Sequence, residues 1–387
     1  MHQGRLVFAQ VMQHLPLSTF RRCVEKFHGE RRVGAFTALE QFYSMSFAQL
    51  AYRESLRDVE ACLRAQGPKL YHMGIRSRIS RNTLARANAA VDWRIHAEFA
   101  QHLIAIARPL YANEPFGVEL SSTVYALDSS TIDLCLSLFP WAPYRATDAA
   151  IKLHTLLDLR GSIPAFIHIS DGKLHDVKML DQLVPDPGAI YVMDRGYLDA
   201  ARLHRFHQAG SFFVIRARRN TQFKRRYSQP VDRACGLISD HLGRLSGQDT
   251  SHAYPSPLRR IRYRDEAGKG LVFLTNIITA EAQTIADLYR LRWQVELFFR
   301  WIKQHLRIKQ FFGVSENAVK SQVWIAIATY VLVAIVRKRL HLPVTLYQLL
   351  QVLSLTHFEK TPLNQLISLR TARRENTDLR NQLILFD

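Results

Sequence analysis

The chain has 387 residues, of which 48% are apolar, and it carries a formal net charge of +19 at pH 7. This length and apolar content suffice for two or three domains with buried cores, which excludes a disordered chain. The four cysteines lie far apart without a C-x-x-C pair, so neither a disulfide framework nor a zinc site of the usual spacing is indicated. The excess of lysine and arginine favours a polyanionic partner, nucleic acid before membrane.

The first third of the chain is predicted to be a series of helices, because its apolar residues recur at helical spacing and strand signals are sparse. The predicted helices are Arg5–Leu15, Leu17–Phe27, Ala38–Ala51, Ser55–Arg64 and a fifth from Thr83 onward. After the break at Gly67-Pro68, Ser80 or Asn82 can cap a short basic helix. This pattern is compatible with a DNA-binding helix-turn-helix and equally with a plain basic surface.

The middle of the chain, residues 121–218, changes to short β-rich segments ordered as three strands, helix, strand, helix and strand. This order is that of an RNase H-like α/β domain. Asp128 follows the first predicted strand, Thr123–Leu127, and Asp194 follows the fourth, Ala189–Met193. In such a sheet the two strands are neighbours, and residues at strand ends collect at the crevice where ligands bind. One Asp at a strand end is commonly a turn or cap residue, but two on adjacent strands predict a site.

The connection after this core, residues 216–276, is basic, strand-like and longer than a strand-to-helix connection needs, so a β-rich insertion is predicted. Within Leu258–Arg264, the residues Arg260, Arg262 and Arg264 alternate with their neighbours and therefore share one face of a strand. Such a face can bind DNA, although a solvated strand edge has the same composition.

A single helix is predicted over residues 288–304, and one of its faces carries Tyr289, Arg292, Glu296 and Lys303. Taken alone, this stripe is equally typical of a solvated face with ion pairs at i, i+3 and i, i+4. Glu296, however, adds a third carboxylate to the two strand-end aspartates. Three carboxylates without a Cys or His cluster are typical of a site for Mg²⁺ or Mn²⁺, and two such ions can serve an in-line phosphoryl displacement.

The order Asp128, Asp194, Glu296, with D-R-G-Y at the second aspartate and Y-x2-R-x3-E-x6-K around the glutamate, resembles the DDE insertion-sequence transposases of the IS-four (YREK) type. The opening segment GRLVFAQVMQHLP also resembles an N-terminal domain common in one branch of that family, so the resemblance covers nearly the whole chain. The resemblance implies an RNase H-like fold, two Mg²⁺ ions for which Mn²⁺ can substitute, cut-and-paste DNA chemistry and a homodimer in the synaptic complex.

Carried over residue by residue, the resemblance implies catalytic metal ligands at Asp128, Asp194 and Glu296. It also implies contacts with the DNA of the transposon ends, for which the candidates are Tyr289, Arg292, Lys303, Arg195, Arg260 and Arg262. Some relatives hold a flipped base with a tryptophan of the insertion, but the five tryptophans of this chain all lie outside it. The aromatic residues that could stack on a base instead are Phe223, Tyr227, Tyr254 and Tyr263.

The predicted fold class is α/β, an RNase H-like catalytic core interrupted by a β-rich insertion and preceded by an all-α N-terminal DNA-binding domain. The predicted ranges are 1–117 for the N-terminal domain, 118–218 and 277–340 for the core, 219–276 for the insertion and 341–387 for a helical tail. The apolar run Val323–Val336 is too short to span a bilayer and is predicted to pack beneath the catalytic sheet. Without a signal-peptide pattern, a cytoplasmic, nucleoid-associated protein that does not bind membranes is expected.

The predicted function is a DNA transposase that binds the terminal inverted repeats of its insertion sequence, cleaves there and joins the ends to target DNA. Two alternatives stay open. One is an RNase H-superfamily nuclease that hydrolyses DNA without strand transfer, and the other is an immobile DNA-binding derivative. The presence of all three carboxylates counts against the second alternative.

Overall fold

A computed structural model describes residues 4–29, 36–145, 147–306 and 311–368 of the chain. The chain is divided into two compact units, Ala112–Arg300 and a unit that combines Met1–Tyr111 with Trp301–Asp387. The first unit is built on a β-sheet and the second is helical. The helices with described bounds are, in chain order, α1 (Val7–Met12), α2 (Leu17–Lys26), α3 (Ala38–Leu50), α4 (Leu56–Ala65), α5 (Gly67–Leu70), α6 (Arg81–Ala90), α7 (Trp93–Tyr111), α8 (Ala200–Gln208), α9 (Gln248–Ala253), α10 (Ala282–Leu291), α11 (Trp293–Leu306), α12 (Glu316–Arg339) and α13 (Leu346–Thr356).

Three of the N-terminal helices, α3, α4 and α6, begin at residues whose side chains cap them. α3 begins with a capping box, in which the Thr37 hydroxyl accepts from the Glu40 N–H and the Glu40 carboxylate accepts from the Thr37 N–H. The hydroxyl of Ser55 caps α4, and the hydroxyl of Ser80 caps α6. The predicted helical N-terminal region is therefore confirmed, with helix ends a few residues from the predicted ones.

The long apolar helix α12 is the centre of the helical unit, and its residues 323–336 are all buried. It packs against α7 and α3: the Tyr111 hydroxyl donates to the Ala334 carbonyl at 2.9 Å, and Thr329 donates to Ser46 at 2.9 Å. The sequence interpretation placed this helix beneath the catalytic sheet, and the structure corrects it, because the partners that cover α12 are the N-terminal helices. At 24 residues α12 is the one described helix long and apolar enough to cross a bilayer, but it is buried as a core helix.

Within the described residues, nine strands form a single sheet. In chain order they are β1 (Val124–Leu134), β2 (Ala149–Asp158), β3 (Ile163–Asp171), β4 (Ile190–Met193), β5 (Phe212–Arg216), β6 (Phe223–Gln229), β7 (Leu237–Leu245), β8 (Leu258–Arg264) and β9 (Gly270–Thr275). Across the sheet they lie in the order β3-β2-β1-β4-β5-β9-β8-β7-β6. β1 is antiparallel to β2 and parallel to β4, and β4 is parallel to β5. The predicted α/β class with an RNase H-like core is confirmed.

The insertion is β-rich, and its four strands extend the core sheet instead of forming a separate one. β9 pairs with β5 at the edge of the core, and β8, β7 and β6 follow outward. A fully buried ion pair between Arg259 and Asp240 joins β8 to β7. Arg259 also donates to the carbonyl of Ala280, which anchors the insertion to the segment that leads into α10.

The predicted single helix around the polar stripe is wrong, because the chain forms two helices, α10 and α11, that meet at Arg292. The N–H of Arg292 bonds to the carbonyl of Tyr289, and the N–H of Val295 bonds to the carbonyl of Arg292. These i→i−3 bonds tighten the turn between the helices. Tyr289 therefore lies on α10, Glu296 and Lys303 lie on α11, and Arg292 occupies the junction.

Candidate active site

The two aspartates lie side by side where the pairing of β1 with β4 ends. Asp194 follows β4, but Asp128 lies within β1, because this strand continues to Leu134 in its pairing with β2, beyond the predicted end at Leu127. β1 and β4 run parallel, and Leu127 and Met193 form their last pair, so Asp128 and Asp194 occupy the next positions. Leu127 and Met193 belong to the main apolar cluster on one face of the sheet. Because side chains alternate between faces, the two aspartates are directed to the other face. Phe273, which contacts Tyr289 of α10, lies on that same face.

Arg292 joins two of the three carboxylates. Its Nη1 donates to Asp128 Oδ2 at 2.7 Å, and its Nη2 donates to Glu296 Oε1 at 2.6 Å. The side chains of Arg292, Asp128 and Glu296 are 16%, 20% and 34% exposed, so this bridge is largely shielded from solvent. Charge-assisted hydrogen bonds of this kind are strong and directional. The helix junction at Arg292 thus places Glu296 of α11 beside the two aspartates.

Tyr289 connects the third carboxylate to the same group. Its hydroxyl donates to Asp194 Oδ1 at 3.2 Å, and its ring packs on Phe273 with the centroids 4.6 Å apart. Burial raises the pKa of Tyr289 to about 12, so the hydroxyl stays a donor at neutral pH. Arg216, at the end of β5, lies close enough to oppose this rise in the pKa of Tyr289. Sequence reasoning missed Arg216, although its place at the end of the strand next to β4 was the available signal.

The electrostatics of the site fit a divalent cation. Burial raises the pKa of Asp128 to about 6; the Arg292 guanidinium and the Ser129 N–H oppose this rise, and the charges of Glu296 and Asp194 add to it. Three carboxylates thus lie together with one guanidinium at a site that is largely shielded from solvent. Additional positive charge there would stabilise the ionised forms of the carboxylates. Oxygen-only donors of this type are the ligands that Mg²⁺ and Mn²⁺ prefer. The residues present therefore fit the metal ions that the fold family implies.

Two further predicted DNA contacts, Arg195 and Lys303, are exposed. Arg195 is exposed on the short 3₁₀ helix Arg195–Tyr197 that follows Asp194. Lys303 is exposed on α11, two turns beyond Glu296, and belongs to the helical unit. Neither residue is part of the hydrogen-bonded group around Arg292 in the described part of the chain.

Arg260 and Arg262 are directed to the opposite face of the sheet from the carboxylates. Arg260 pairs across β8 and β9 with Leu274, which is part of the main apolar cluster. The Arg260 guanidinium lies 4.7 Å from the Phe223 ring centre, and the charges of Arg262 and Arg225 reinforce the lowering of its pKa by burial. We call this group, Arg225, Arg260 and Arg262, the arginine cluster. It is a dense positive patch, and the structure does not bring it together with the three carboxylates.

The aromatic candidates of the insertion differ in exposure. Tyr254 is buried, and its hydroxyl is 2.6 Å from His207 Nδ1, so it cannot stack on a base. Phe223 lies against Arg260, and Tyr263 stacks on Phe273. Tyr227 is 66% exposed on β6 and is the most accessible of the four.

An RNase H-like sheet with two aspartates on adjacent parallel strands, and a helix that brings a glutamate beside them, defines the general class of this protein. The DDE transposase domain family matches residues 119–332, which is more than half of the chain and includes the three carboxylates and the junction at Arg292. The chain therefore belongs to the DDE transposase family. A second family, a domain of unknown function (DUF4372), matches residues 3–76.

Three relatives that are similar to this chain are named as transposases. “Probable transposase for insertion sequence element IS5377” of Geobacillus stearothermophilus is 35% identical over 208 residues, which are 53% of this chain and 54% of the relative. “Putative transposase y4zB” of Sinorhizobium fredii is 33% identical over 224 residues, 56% of this chain and 62% of the relative. “Putative transposase for insertion sequence element IS4SA” of Synechocystis sp. is 24% identical over 218 residues, 54% of this chain and 59% of the relative. The chain thus spans between half and two thirds of the length of these relatives.

Proposed function

We propose that this protein is a transposase of the IS-four (YREK) type, which cleaves DNA at the terminal inverted repeats of its insertion sequence and joins the ends to target DNA. The observation that carries the proposal is the site itself. Asp128 and Asp194 lie side by side where the parallel pairing of β1 with β4 ends, and Arg292 joins Glu296 to Asp128. Tyr289, Arg292, Glu296 and Lys303 occupy the four positions of the signature.

In this proposal Asp128, Asp194 and Glu296 hold two Mg²⁺ ions, for which Mn²⁺ can substitute. Bound there, the ions supply activation of the attacking hydroxyl group and stabilisation of the leaving oxygen in an in-line displacement at phosphorus. The protein contributes fixed ligands, since Arg292 holds Asp128 and Glu296 while Tyr289 holds Asp194. Carboxylates held in this way would keep the reacting groups in a productive geometry.

The candidate contacts that the resemblance implies are proposed to bind phosphates of the DNA. Near the carboxylates these are Arg292 and Tyr289 at the helix junction and the exposed Arg195, and on the helical unit the exposed Lys303 is a further candidate. On the opposite face of the sheet, the arginine cluster would bind a separate stretch of the transposon end or the target. Cations placed along a duplex in this way supply affinity without reading sequence.

The helical unit is proposed to bind the terminal inverted repeat through α4 and α6. Ser80 caps α6, and Arg81 and Arg86 are exposed on it, as a helix that enters a DNA groove requires. We further propose a homodimer in the synaptic complex and a location in the cytoplasm with the nucleoid. The functional division into the ranges 1–117, 118–218, 219–276, 277–340 and 341–387 also stays a prediction.

The test is an assay with Mg²⁺, a supercoiled plasmid and end DNA that is supplied either uncut, to measure cleavage, or pre-cleaved, to measure strand transfer. Joined product supports the transposase. Cleavage of uncut ends without joining favours the alternative, a nuclease of the RNase H superfamily, and binding alone favours an immobile DNA-binding derivative.

The same assay tests the three carboxylates. Asp128→Asn, Asp194→Asn and Glu296→Gln should each abolish cleavage and joining while end binding persists, because each removes a metal ligand and no DNA-binding cation. Asp133→Asn is the matched control, since Asp133 is an exposed aspartate on the same strand as Asp128. Cleavage at a comparable rate by one of the three variants would remove that residue from the site.

A further inference from the structure

A second polar cluster lies on the other face of β1, next to Asp128, and the proposed function does not use it. Its centre is Asp176, at the start of the 3₁₀ helix Asp176–Asp181. The Ser129 hydroxyl donates to Asp176 Oδ1 at 2.7 Å, and the Lys152 ammonium donates to the same oxygen at 3.2 Å. Lys152 also donates to the carbonyl of Leu174 at 2.9 Å. The Asp176 carboxylate thus accepts hydrogen bonds from one side chain of β1, Ser129, and one of β2, Lys152.

Ser129 is the residue that connects this cluster to the site. Its backbone N–H donates to Asp128 Oδ1 at 2.8 Å, while its side chain reaches Asp176 on the opposite face. Pairing of β1 with β4 ends at Leu127, and from Asp128 onward the described pairing of β1 is with β2. The orientation of the Ser129 N–H therefore depends on contacts other than those with β4, and the bond to Asp176 is such a contact.

The cluster is largely shielded from solvent, and its negative charge on Asp176 is paired with the positive charge of Lys152. The side chain of Lys152 is 14% exposed and that of Asp176 is 34% exposed. His154, on the same face, is fully buried and lies 3.9 Å from Asp176, but burial lowers its pKa to about 4, so it is neutral at pH 7. Lys152 is therefore the counter-charge of Asp176. The buried Tyr197 hydroxyl also lies near Ser129, without a hydrogen bond of standard geometry.

A shielded ion pair is a poor source of stability, because desolvation of the charges offsets their attraction. Apolar residues fill the equivalent positions closer to the core, for example Tyr125 and Leu127 on β1 and Leu156 on β2. An ion pair beside Ser129 is better explained by geometry, since a charged acceptor fixes the direction of the hydroxyl that binds it.

We infer that Asp176 is a positioning residue for the first catalytic carboxylate: it fixes Ser129, whose N–H orients Asp128 for a divalent cation. Asp176 acts only through Ser129 and is not itself a catalytic residue. This inference rests on the proposed role of Asp128 as a metal ligand. Residues that orient metal ligands commonly change metal affinity by about 10- to 100-fold when they are replaced.

The test uses the full chain and three substitutions. Asp176→Asn keeps the size and removes the charge, Ser129→Ala removes the hydroxyl, and Ser129→Thr keeps it. Calorimetric titration with Mg²⁺ or Mn²⁺ measures metal affinity directly, and end cleavage measured against Mg²⁺ concentration gives a second value. Half-saturation and half-maximal cleavage should shift to metal concentrations about 10-fold higher for Asp176→Asn and Ser129→Ala. Ser129→Thr should stay near the wild type.

Asp181→Asn is the matched control, because Asp181 lies on the same 3₁₀ helix and pairs with Arg202 away from the cluster. It should leave metal affinity unchanged. The inference is overturned if Asp176→Asn and Ser129→Ala melt at lower temperature but bind metal like the wild type. A wild type that binds metal without cleaving DNA defeats only the proposed function, and the titration still decides the inference. A wild type that binds no divalent cation defeats both.

Discussion

At the scale of single residues, Arg292 has a double role. The resemblance implies that it contacts the DNA of the transposon ends. In the structure its guanidinium also holds Asp128 and Glu296, and all three side chains are largely shielded from solvent. A cation in this position keeps the carboxylates together before any metal or DNA arrives.

Arg292→Ala should therefore lower the free energy of unfolding by about 1–3 kcal/mol in the absence of divalent ions, since two shielded carboxylates lose a charged partner. Saturating Mg²⁺ should restore part of this loss. Urea denaturation with and without Mg²⁺ measures both effects. Arg290→Ala is the control, because Arg290 is 70% exposed and its pair with Asp287 contributes little. If Arg292→Ala were as stable as the wild type without Mg²⁺, Arg292 would not stabilise the carboxylates and would act only as a DNA contact.

Asp128 should make stabilisation by Mg²⁺ dependent on pH. Its pKa is raised from 3.8 to about 6, chiefly by burial. A carboxyl whose pKa is higher in the folded state favours folding while protonated, so this contribution is present below about pH 4 and is lost as pH rises through about 6. Mg²⁺ binds the ionised form. The rise in melting temperature on adding Mg²⁺ should thus be small at about pH 5 and full above about pH 7. Asp128→Asn should remove this difference, and equal shifts in the wild type would show that Asp128 is not a ligand.

At the scale of elements, the features that local sequence patterns determine were predictable from the sequence. The β-rich pattern of the middle segment predicts the strands β2 and β3. In the turn between them Gly161 and Ser162 have φ angles of 75° and 54°, as a tight hairpin turn requires. The neighbouring positions of Asp128 and Asp194 follow from the same local pattern once strand order is known, although β1 continues past Asp128 to Leu134.

Other features depend on tertiary contacts and were not predictable. The break between α10 and α11 has no Pro or Gly to signal it, and it coincides with the bonds of Arg292 to Asp128 and Glu296. The face that the arginine cluster occupies depends on the register of β8 against β9, which pairs Arg260 with Leu274. Register between distant strands is fixed by packing, and a shift of one residue would have moved these arginines to the other face.

Arg260→Ala and Arg262→Ala should each weaken binding of end DNA by several-fold, the loss expected for one charge-assisted phosphate contact. The cleavage rate at saturating DNA should stay near the wild type, because these arginines face away from the carboxylates. Fluorescence anisotropy and single-turnover cleavage give the two quantities. Arg244→Ala is a matched control, since Arg244 is exposed on β7 and alternates to the other face. Equal losses in all three variants would mean that binding does not use the arginine cluster.

At the scale of the whole molecule, the net charge of +19 is not explained by the active site, where three carboxylates outnumber Arg292. Exposed positive residues lie instead on the insertion and on α6 of the helical unit. A duplex bound along such surfaces releases the counterions that its phosphates had condensed, so affinity falls as salt rises.

The logarithm of the DNA-binding constant should fall linearly with the logarithm of salt concentration, with a slope of about −0.9 for each phosphate contacted. A double variant, Arg260→Ala with Arg262→Ala, should make this slope shallower by about 2, because two phosphate contacts are lost. Asp128→Asn should leave the slope unchanged, since a metal ligand contributes no counterion release. Binding constants measured by anisotropy between about 50 and 200 mM salt give the slopes. A nearly flat slope in the wild type would contradict phosphate-dominated binding, and an unchanged slope in the double variant would place the interface away from the arginine cluster.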